Sequence, residues 1–300
     1  MHQFRMLREL ATLGSVTAVA DSLGVSASAV SQQLAAVQRG FAAPLTRRKG
    51  RTVVLTEAGL VLADAGAKVI EAMADARGAV EEFEQSSTGE VKVSGFHSAG
   101  QALFGPLIAE LDGAGPDVRF TDEDVAQSEF PALTARYDLV LAQRMEYGPM
   151  WPSSGLEVLT LAREPLDVAL PATHPLAGLS EISPTDLVGE RWVTSRRGYS
   201  PDDVLAAIAA VANRPAHVAH RVNDYGVVAA IVAAGDAIGI LPRYTSVRAH
   251  AQGVVLRPIT GIGAARSIDV LARPENLRRT SVRLVAAGLR RVMARLVAST

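Results

Sequence analysis

Residues 16–39 carry two short amphipathic helix patterns joined by a tight corner, and this pattern limits the possible folds most strongly. Gly24 suits the left-handed backbone that ends the first helix, and Ser26 is a good N-cap for the second. Ala20 is small enough to let the second helix approach, while Val25 fills the space between the two helices. The spacing therefore predicts a helix-turn-helix unit.

The second helix of this unit exposes short polar and amide side chains near its N-terminal end. Such side chains read base edges in a major groove, and a helix N-terminus favours phosphate. An ordinary helical hairpin with a polar face is the alternative explanation. A further helix over residues 4–13 precedes the unit. The candidate DNA-contacting residues of the second helix are Ser26, Ala27, Ser28, Ser31, Gln32 and Gln33.

Residues 45–55 predict a short hairpin with Lys49-Gly50 at its tip. A basic hairpin beside a helix-turn-helix is a wing, and its cations suit phosphates or the minor groove. The candidate DNA-contacting residues of this wing are Arg47, Arg48, Lys49 and Arg51.

The formal net charge of −1 conceals a segregation of charge along the chain. Residues 1–56 carry seven basic and two acidic side chains, residues 57–87 carry two basic and seven acidic ones, and residues 88–300 have a net charge of −1. We call residues 1–56 the basic head and residues 57–87 the acidic spacer. This segregation is more typical of a protein that contacts nucleic acid at one end than of charges scattered by chance.

The acidic spacer, residues 57–87, contains no proline, and Thr56 is a candidate N-cap for a helix that starts at Glu57. The helix either packs against its own body or pairs with a second copy of the chain, and Ser86–Gly89 is expected to close it as a hinge. Small or apolar residues follow each other at an average of about 3.5 positions. They are Gly59, Leu62, Gly66, Val69, Met73, Ala76, Val80 and Phe83.

From residue 90 onwards, predicted strands alternate with predicted helices, which favours a parallel sheet covered on both faces. The pattern restarts after residue 164 and ends with a strand and a helix, so the chain is expected to cross twice between two lobes. A polar loop over residues 97–100 and a helix over 103–111 follow the first strand, and Ser200 is expected to cap a helix over 201–211. Ligands of such folds bind at the carboxyl ends of strands. The candidate ligand-binding residues on these loops are His97, Ser98, Arg144, Ser195, Arg196 and Asn223.

The motifs of common enzymes are missing. There is no HExxH, no GxSxG, no phosphate-binding GxxxxGK[ST] and no GxGxxG between a strand and a helix. The absence of cysteine excludes disulfides, thiolate metal sites and a cysteine nucleophile. No catalytic residue, metal or cofactor is therefore expected. Neither an 18-residue uncharged apolar run nor an N-terminal leader pattern occurs, which predicts no membrane partner and a cytoplasmic protein.

The stretches VADSLGVSASAVSQQL and PLTRRKGRTVVLTEAG resemble the N-terminal domain of the LysR-type transcriptional regulators, and TEAG at residues 56–59 is especially characteristic. The body is similar to the effector domain of the same family in Tyr137-Asp138-Leu139-Val140, Leu170-Pro171 and residues 231–242. Five positions depart from the family pattern, and because the base-reading amide is missing at position 27 the resemblance implies no operator sequence. They are Val16 for an aromatic residue, Ala27-Ser28 for Gln-Pro, Gln32 for Arg and Thr46 for an aromatic residue.

The resemblance implies an α/β chain with three parts: an N-terminal winged helix-turn-helix, a long linker helix and a two-lobed effector domain like a type II periplasmic binding protein. The expected bounds are 1–58 for the DNA-binding domain, 59–87 for the linker and 88–300 for the effector domain. Lobe I would comprise residues 88–163 and 266–300, and lobe II residues 164–265.

The implied function is DNA-binding transcriptional regulation under the control of a small molecule. The implied partners are double-stranded DNA, a small-molecule effector, a second copy of the chain in a homodimer or homotetramer, and RNA polymerase. The alternative is a two-lobed small-molecule-binding protein or enzyme whose helical head serves assembly only.

Overall fold

A winged helix-turn-helix forms the head of the chain. The computed structural model describes residues 2–83, 88–111, 113, 115–152, 155–246 and 253–299. The head consists of α1 (His2–Leu13), α2 (Val16–Leu23), α3 (Ala27–Gln38) and the antiparallel strands β1 (Thr46–Lys49) and β2 (Thr52–Leu55).

The corner between α2 and α3 has the predicted local structure. Gly24 has a φ of 64°, its N–H donates to the carbonyl oxygens of Ala20 and Asp21, and the Ser26 side chain accepts a hydrogen bond from the Ala29 N–H. Ala20 is 3% exposed in the core of the head. The left-handed glycine and the serine cap therefore set the angle at which α3 leaves the core.

The linker helix α4 (Glu57–Phe83) begins at Thr56, whose hydroxyl accepts from the Gly59 N–H as an N-cap does. The spaced small residues of this helix contact different parts of the same chain. A Cβ on Gly59 would lie 2.1 Å from the Leu45 carbonyl oxygen, and one on Gly66 would lie 2.7 Å from the Phe4 ring. One on Gly78 would lie 2.6 Å from the Arg278 carbonyl oxygen. The three glycines thus allow close packing against the head and the body. The predicted hinge falls in part on residues 84–87, outside the described residues.

Replacing Gly59 with alanine is expected to destabilise the head by about 1–3 kcal/mol, because the new methyl group overlaps the fixed backbone of Leu45. The control is Gly178→Ala. Gly178 is exposed and has no positive φ, and apart from its chain neighbours and its own helix backbone no atom lies within 4 Å of the point that its new methyl group would occupy, so this variant is expected to change the free energy of unfolding by less than about 0.5 kcal/mol. Urea unfolding followed by far-UV circular dichroism measures both changes. Equal effects of the two substitutions would contradict the close contact.

The body contains two α/β lobes that share one sheet. Its sheet order is β4-β3-β5-β11-β6-β9-β7-β8, with β10 beside β6. The strands are β3 (Glu90–Gly95), β4 (Asp117–Asp122), β5 (Leu139–Met145), β6 (Glu157–Pro171), β7 (Arg191–Thr194), β8 (His217–Arg221), β9 (Ile238–Pro242), β10 (Val254–Arg257) and β11 (Ala265–Ala272). The helices are α5 (His97–Leu111), α6 (Phe130–Leu133), α7 (Ser200–Val211), α8 (Tyr225–Ala233) and α9 (Thr280–Ala298).

The expectation of a wholly parallel sheet is wrong. β3 pairs parallel with β4 and β5, and β7 pairs parallel with β8 and β9, but β6 and β11 pair antiparallel with each other and with their other neighbours. The long strand β6 causes this mixture, because it pairs with β11 up to Pro165 and with β9 from Leu166. It therefore runs from one lobe into the other.

Two local predictions for the body are also wrong. Residues 97–100 form the first turn of α5 instead of a loop, although this helix contains Gly100, Gly105 and Pro106. Ser200 is the first residue of α7, whose N-cap is Tyr199, and the Ser200 hydroxyl donates to Gln143 Oε1 instead of capping the helix. Strand β10 was not predicted: no strand was expected between residue 242 and the final strand of the chain.

A buried cluster of four charges joins the head to the body. Arg8 of α1 donates to Glu9 Oε1 at 3.1 Å and to Glu275 Oε1 at 2.6 Å. Arg273, just after β11, donates to Glu9 Oε2 at 2.9 Å. Arg8, Glu9 and Arg273 are all less than 10% exposed. A buried charge is tolerated when it is paired in this way.

No helix among the described residues combines the length and the apolar character needed to cross a membrane.

Candidate functional site

The outer surface of α3 presents most of the residues proposed to contact bases. Ser26, Ala27, Ser28, Ser31 and Gln32 are exposed. The Ser31 hydroxyl donates to the Ala27 carbonyl oxygen at 2.9 Å. Gln33 is half-buried instead, and its Oε1 accepts from the Gln3 amide at 3.3 Å. Gln33 therefore lies at the edge of this surface.

The hairpin β1–β2 carries its cations into solvent. Arg47, Arg48, Lys49 and Arg51 are exposed, and within the described part of the chain their side chains make no ion pair or hydrogen bond. Most arginines of the body, in contrast, pair with a carboxylate, as Arg278 does with Glu71 at 2.8 Å. Four unpaired cations on one hairpin give a surface that is suited to a polyanion.

The second candidate site lies between the two lobes, where α5, β7 and the loop before α8 meet. His97, Ser98, Ser195 and Asn223 surround a small cavity of about 30 Å³. This volume accommodates about two water molecules. The other residues around it are Phe96, Gln101, Asp124, Val125, Gln143, Tyr199, Tyr225 and Arg266.

Direct polar contacts close this cleft. Tyr199 of lobe II donates to the Asp124 carbonyl oxygen at 3.0 Å, and the Asn223 amide donates to Asp124 Oδ2 at 3.3 Å. Asn223 also accepts from the backbone N–H of Arg196 at 2.9 Å, and the Arg196 guanidinium lies 3.8 Å from Asp124. The two lobes are therefore held together by side chains that a ligand between them would have to displace.

His97 lies between two carboxylates from different lobes. Its Nδ1 is 2.9 Å from Asp122 and its Nε2 is 3.0 Å from Asp224, with the Gln101 amide 2.8 Å from the same Nε2. The hydrogen bond to Asp122 raises the pKa of His97, against the opposing effect of burial, and the charge of Asp224 raises it further. The imidazole thus links the lobes, and the link is stronger when the ring is protonated.

We expect the closed cleft to lose stability as the pH rises through this raised pKa. The interaction of the imidazolium with both carboxylates is fully present below the ordinary histidine pKa of 6.5 and disappears above the raised value. Thermal unfolding of the wild type should therefore show a decline in Tm as the pH rises from about 6.5 through the raised pKa of His97, and His97→Gln should lack this decline. His217, exposed and without a carboxylate partner among the described residues, supplies the control variant His217→Gln. An identical pH profile for wild type and His97→Gln would contradict the bridge.

The most buried charges next to the small cavity were not predicted from the sequence. Glu164 of β6 and Arg266 of β11 lie 2.8 Å apart and are 0% and 1% exposed. Arg266 also donates to Thr245 Oγ1 at 2.9 Å, and its guanidinium lies over the Phe96 ring at 5.1 Å from the centroid. Neither residue is part of a sequence motif, since β6 and β11 are about 100 residues apart along the chain.

Arg144, in contrast, lies apart from the cleft. It is on β5, and its Nε is 3.6 Å from Asp269, the buried carboxylate that also accepts from Trp151 and Thr160. Within the described residues no group of three or more metal-ligating side chains is placed to hold a metal ion.

Two family models cover most of the chain. Residues 1–60 match the bacterial regulatory helix-turn-helix protein of the lysR family, and residues 84–294 match the LysR substrate binding domain.

Curated relatives share this similarity over most of the chain, and a solved structure shares the fold over nearly all of it. The HTH-type transcriptional regulator YybE of Bacillus subtilis is 23% identical over 80% of this chain and 81% of its own length. A probable RuBisCO transcriptional regulator of Nostoc is 29% identical over 65% of this chain, which spans 58% of that relative. Full-length OxyR of Pseudomonas aeruginosa has the same fold, with a TM-score of 0.63 at 18% identity over 96% of this chain and 93% of its own.

Proposed function

Because the chain belongs to the LysR family of bacterial transcriptional regulators, we propose that its α3 and its β1–β2 hairpin bind the operator directly. The protein is a DNA-binding regulator with an effector domain, and not an enzyme. The assignment of the contact surface depends on the four exposed cations of the hairpin, which have no ion-pair partner among the described residues, together with the exposed N-terminal half of α3. The operator would receive α3 in a major groove and the hairpin on its backbone.

A gel shift tests this proposal. Labelled DNA from upstream of the chain's own gene is incubated with the full-length protein at two salt concentrations, beside unrelated DNA of the same length. We expect retention of the upstream DNA that resists the unrelated competitor. If the four cations of each hairpin neutralise four phosphates, the logarithm of the association constant should fall with the logarithm of the salt concentration at a slope of about −3.6 per protomer. Retention without dependence on salt would contradict the wing contact.

The linker helix α4 supports self-association. Leu60, Val61, Val69, Met73 and Val80 are each at least 40% exposed on this helix, although they are apolar. Val69, Met73 and Val80, spaced by four and seven residues, lie on one face of this helix, and such an exposed apolar face is typical of a surface that packs on a partner. We infer that a second copy of the chain covers them, and sedimentation equilibrium of the full-length protein distinguishes a dimer from a tetramer.

Between the lobes we infer an effector site at His97, Ser98, Ser195, Arg196 and Asn223. The support is that these residues lie near the carboxyl ends of strands, and that three of them contact a carboxylate of the opposite lobe. These contacts are His97 with Asp224, and Arg196 and Asn223 with Asp124. A molecule that displaced these contacts would change the angle between the lobes. Arg144 is the weakest member of the proposed set, because its guanidinium lies against Asp269 and outside the cleft.

RNA polymerase is a further partner that we propose on family membership alone, and a cytoplasmic location goes with it. Co-purification of polymerase with the operator-bound protein tests this contact.

A further inference from the structure

A second and larger cavity lies beside the closed cleft. It has a volume of about 450 Å³, and such a volume is in the usual range of small-molecule sites. Residues of both lobes line it: Gln127, Pro131, Met150 and Trp151 from lobe I, and Gly198 and Asp203 from lobe II. The inner cavity, at about 30 Å³, is too small for an organic metabolite while the lobes are in contact.

Most of the wall that lobe I contributes is apolar, and its tryptophan is firmly held. Trp151 is 9% exposed, donates through Nε1 to the buried Asp269 at 2.7 Å and meets Phe130 edge to face at 6.3 Å. Met150 is 73% exposed, although it is apolar and next to this tryptophan. A rigid aromatic residue beside an adaptable thioether forms a surface that suits an apolar or aromatic group.

The wall that lobe II contributes carries one carboxylate without a counter-ion. Asp203 is half-buried and has no ion pair or side-chain hydrogen bond within the described ranges, whereas the adjacent Asp202 pairs with Arg221 at 2.7 Å. Burial and the charge of Asp202 both raise the pKa of Asp203. Burial and the charge of Asp203 in turn raise the pKa of Tyr147, which is 58% exposed. A positive group placed here would relieve an unfavourable negative potential.

The cavity and the closed cleft share one segment, which consists of the loop before α7 and the first turn of α7. Residues 198 and 203 line the cavity, while Tyr199 and Ser200 between them donate to Asp124 and Gln143 of lobe I. A molecule in the cavity therefore contacts the segment that holds the lobes together.

We propose that this cavity takes an apolar or aromatic molecule with a single ammonium group, the ring against Trp151 and Met150 and the ammonium on Asp203. This inference rests on the proposed function in one respect, that a small molecule acts between the lobes. In this arrangement the apolar part of the molecule lies in the larger cavity, outside the closed cleft.

Isothermal titration calorimetry on the full-length protein tests the proposal with three ligands of similar shape: phenethylamine, the neutral 2-phenylethanol and the anionic 3-phenylpropionate. We expect the amine to bind most tightly. Asp203→Asn should weaken the amine about tenfold, which is the value of a charge-assisted hydrogen bond, and should leave the alcohol unchanged. Ser128→Trp, which fills the cavity from its exposed edge, should abolish binding of the amine and the alcohol alike.

The matched control is Glu181→Gln, because Glu181 is an exposed carboxylate of lobe II whose side chain has no partner among the described residues. It should leave all three affinities unchanged, and circular dichroism of every variant checks the fold. Preference for the carboxylate, equal amine binding to wild type and Asp203→Asn, or no amine binding at all would overturn the proposal. The gel shift on the same preparation reports the proposed function separately, so that failure of one is distinguishable from failure of the other.

Discussion

Replacing Arg47 and Arg48 together with alanine is expected to weaken operator binding by about 10- to 100-fold. Each of these side chains is exposed and unpaired among the described residues, so the substitutions remove phosphate contacts without breaking an internal interaction. The loss should be alike for operator and unrelated DNA, because phosphates carry no sequence information. The slope of the logarithm of affinity against the logarithm of salt concentration should decrease in magnitude by about 1.8 per protomer. Fluorescence anisotropy over a series of salt concentrations measures both quantities.

The control for this variant removes the same charge from the body. Arg214 and Arg290 are exposed arginines, and neither forms an ion pair within the described residues. The double variant Arg214→Ala, Arg290→Ala should keep the affinity and the salt slope of the wild type. If both double variants lost affinity equally, the effect would come from net charge and the hairpin would not be a wing on DNA.

Glu164→Gln is expected to lower the free energy of unfolding of the body by about 3–5 kcal/mol. Glu164 is fully buried and accepts from the backbone N–H groups of Tyr244 and Thr245 at 2.8 and 2.6 Å, as well as from Arg266 Nε at 2.9 Å. The substitution leaves the charge of Arg266 buried without its counter-ion, which is among the most costly defects in a protein interior. Both tryptophans of the chain, Trp151 and Trp192, lie in the body, so urea unfolding followed by tryptophan fluorescence reports this change.

Glu146→Gln is the matched comparison, since it breaks an arginine–carboxylate pair at the surface instead. Glu146 and Arg163 lie 2.5 Å apart, but their side chains are 40% and 63% exposed. Solvent weakens such pairs, so the expected loss is about 0–1 kcal/mol. Adding Arg266→Met to Glu164→Gln should recover part of the stability, because the unpaired buried charge is then gone. Equal losses for Glu164→Gln and Glu146→Gln would contradict the cost that we assign to burial.

The head was predictable because its signals are local. The angle between α2 and α3 depends on Gly24 and Ser26, which lie close together in sequence and act on backbone groups within a few residues. The basic hairpin was equally local, since Arg47 and Val54 are close along the chain as well as across the two strands. In the same way Thr56 indicated where α4 begins.

The body was less predictable because its defining contacts join distant residues. The antiparallel pairing of β6 with β11 depends on partners such as Glu164 and Arg266, and no periodicity in either strand indicates the other. Residues 97–100 were predicted to form a loop because serine and glycine near the end of a strand are typical of loops. They form the first turn of α5 instead, with Ser98 and Ala99 buried against the rest of the lobe. Packing overrode local propensity at that position. The effector-binding residues remain predictions, and the cavity at Asp203 had no motif to indicate it.

The buried charges between head and body limit how this regulator can be rebuilt from parts. Glu9 of the head meets Arg273 of the body, and Arg8 of the head meets Glu275 of the body, so each half supplies the counter-ions of the other. A chimera that joins this head to a foreign effector domain would leave Arg8 and Glu9 paired only with each other, because the bonds to Glu275 and Arg273 would be missing. Each charge-assisted hydrogen bond lost from these buried groups costs about 1.5–3 kcal/mol. A chimera should therefore be more stable if the new body also carries an arginine and a glutamate at the places of Arg273 and Glu275.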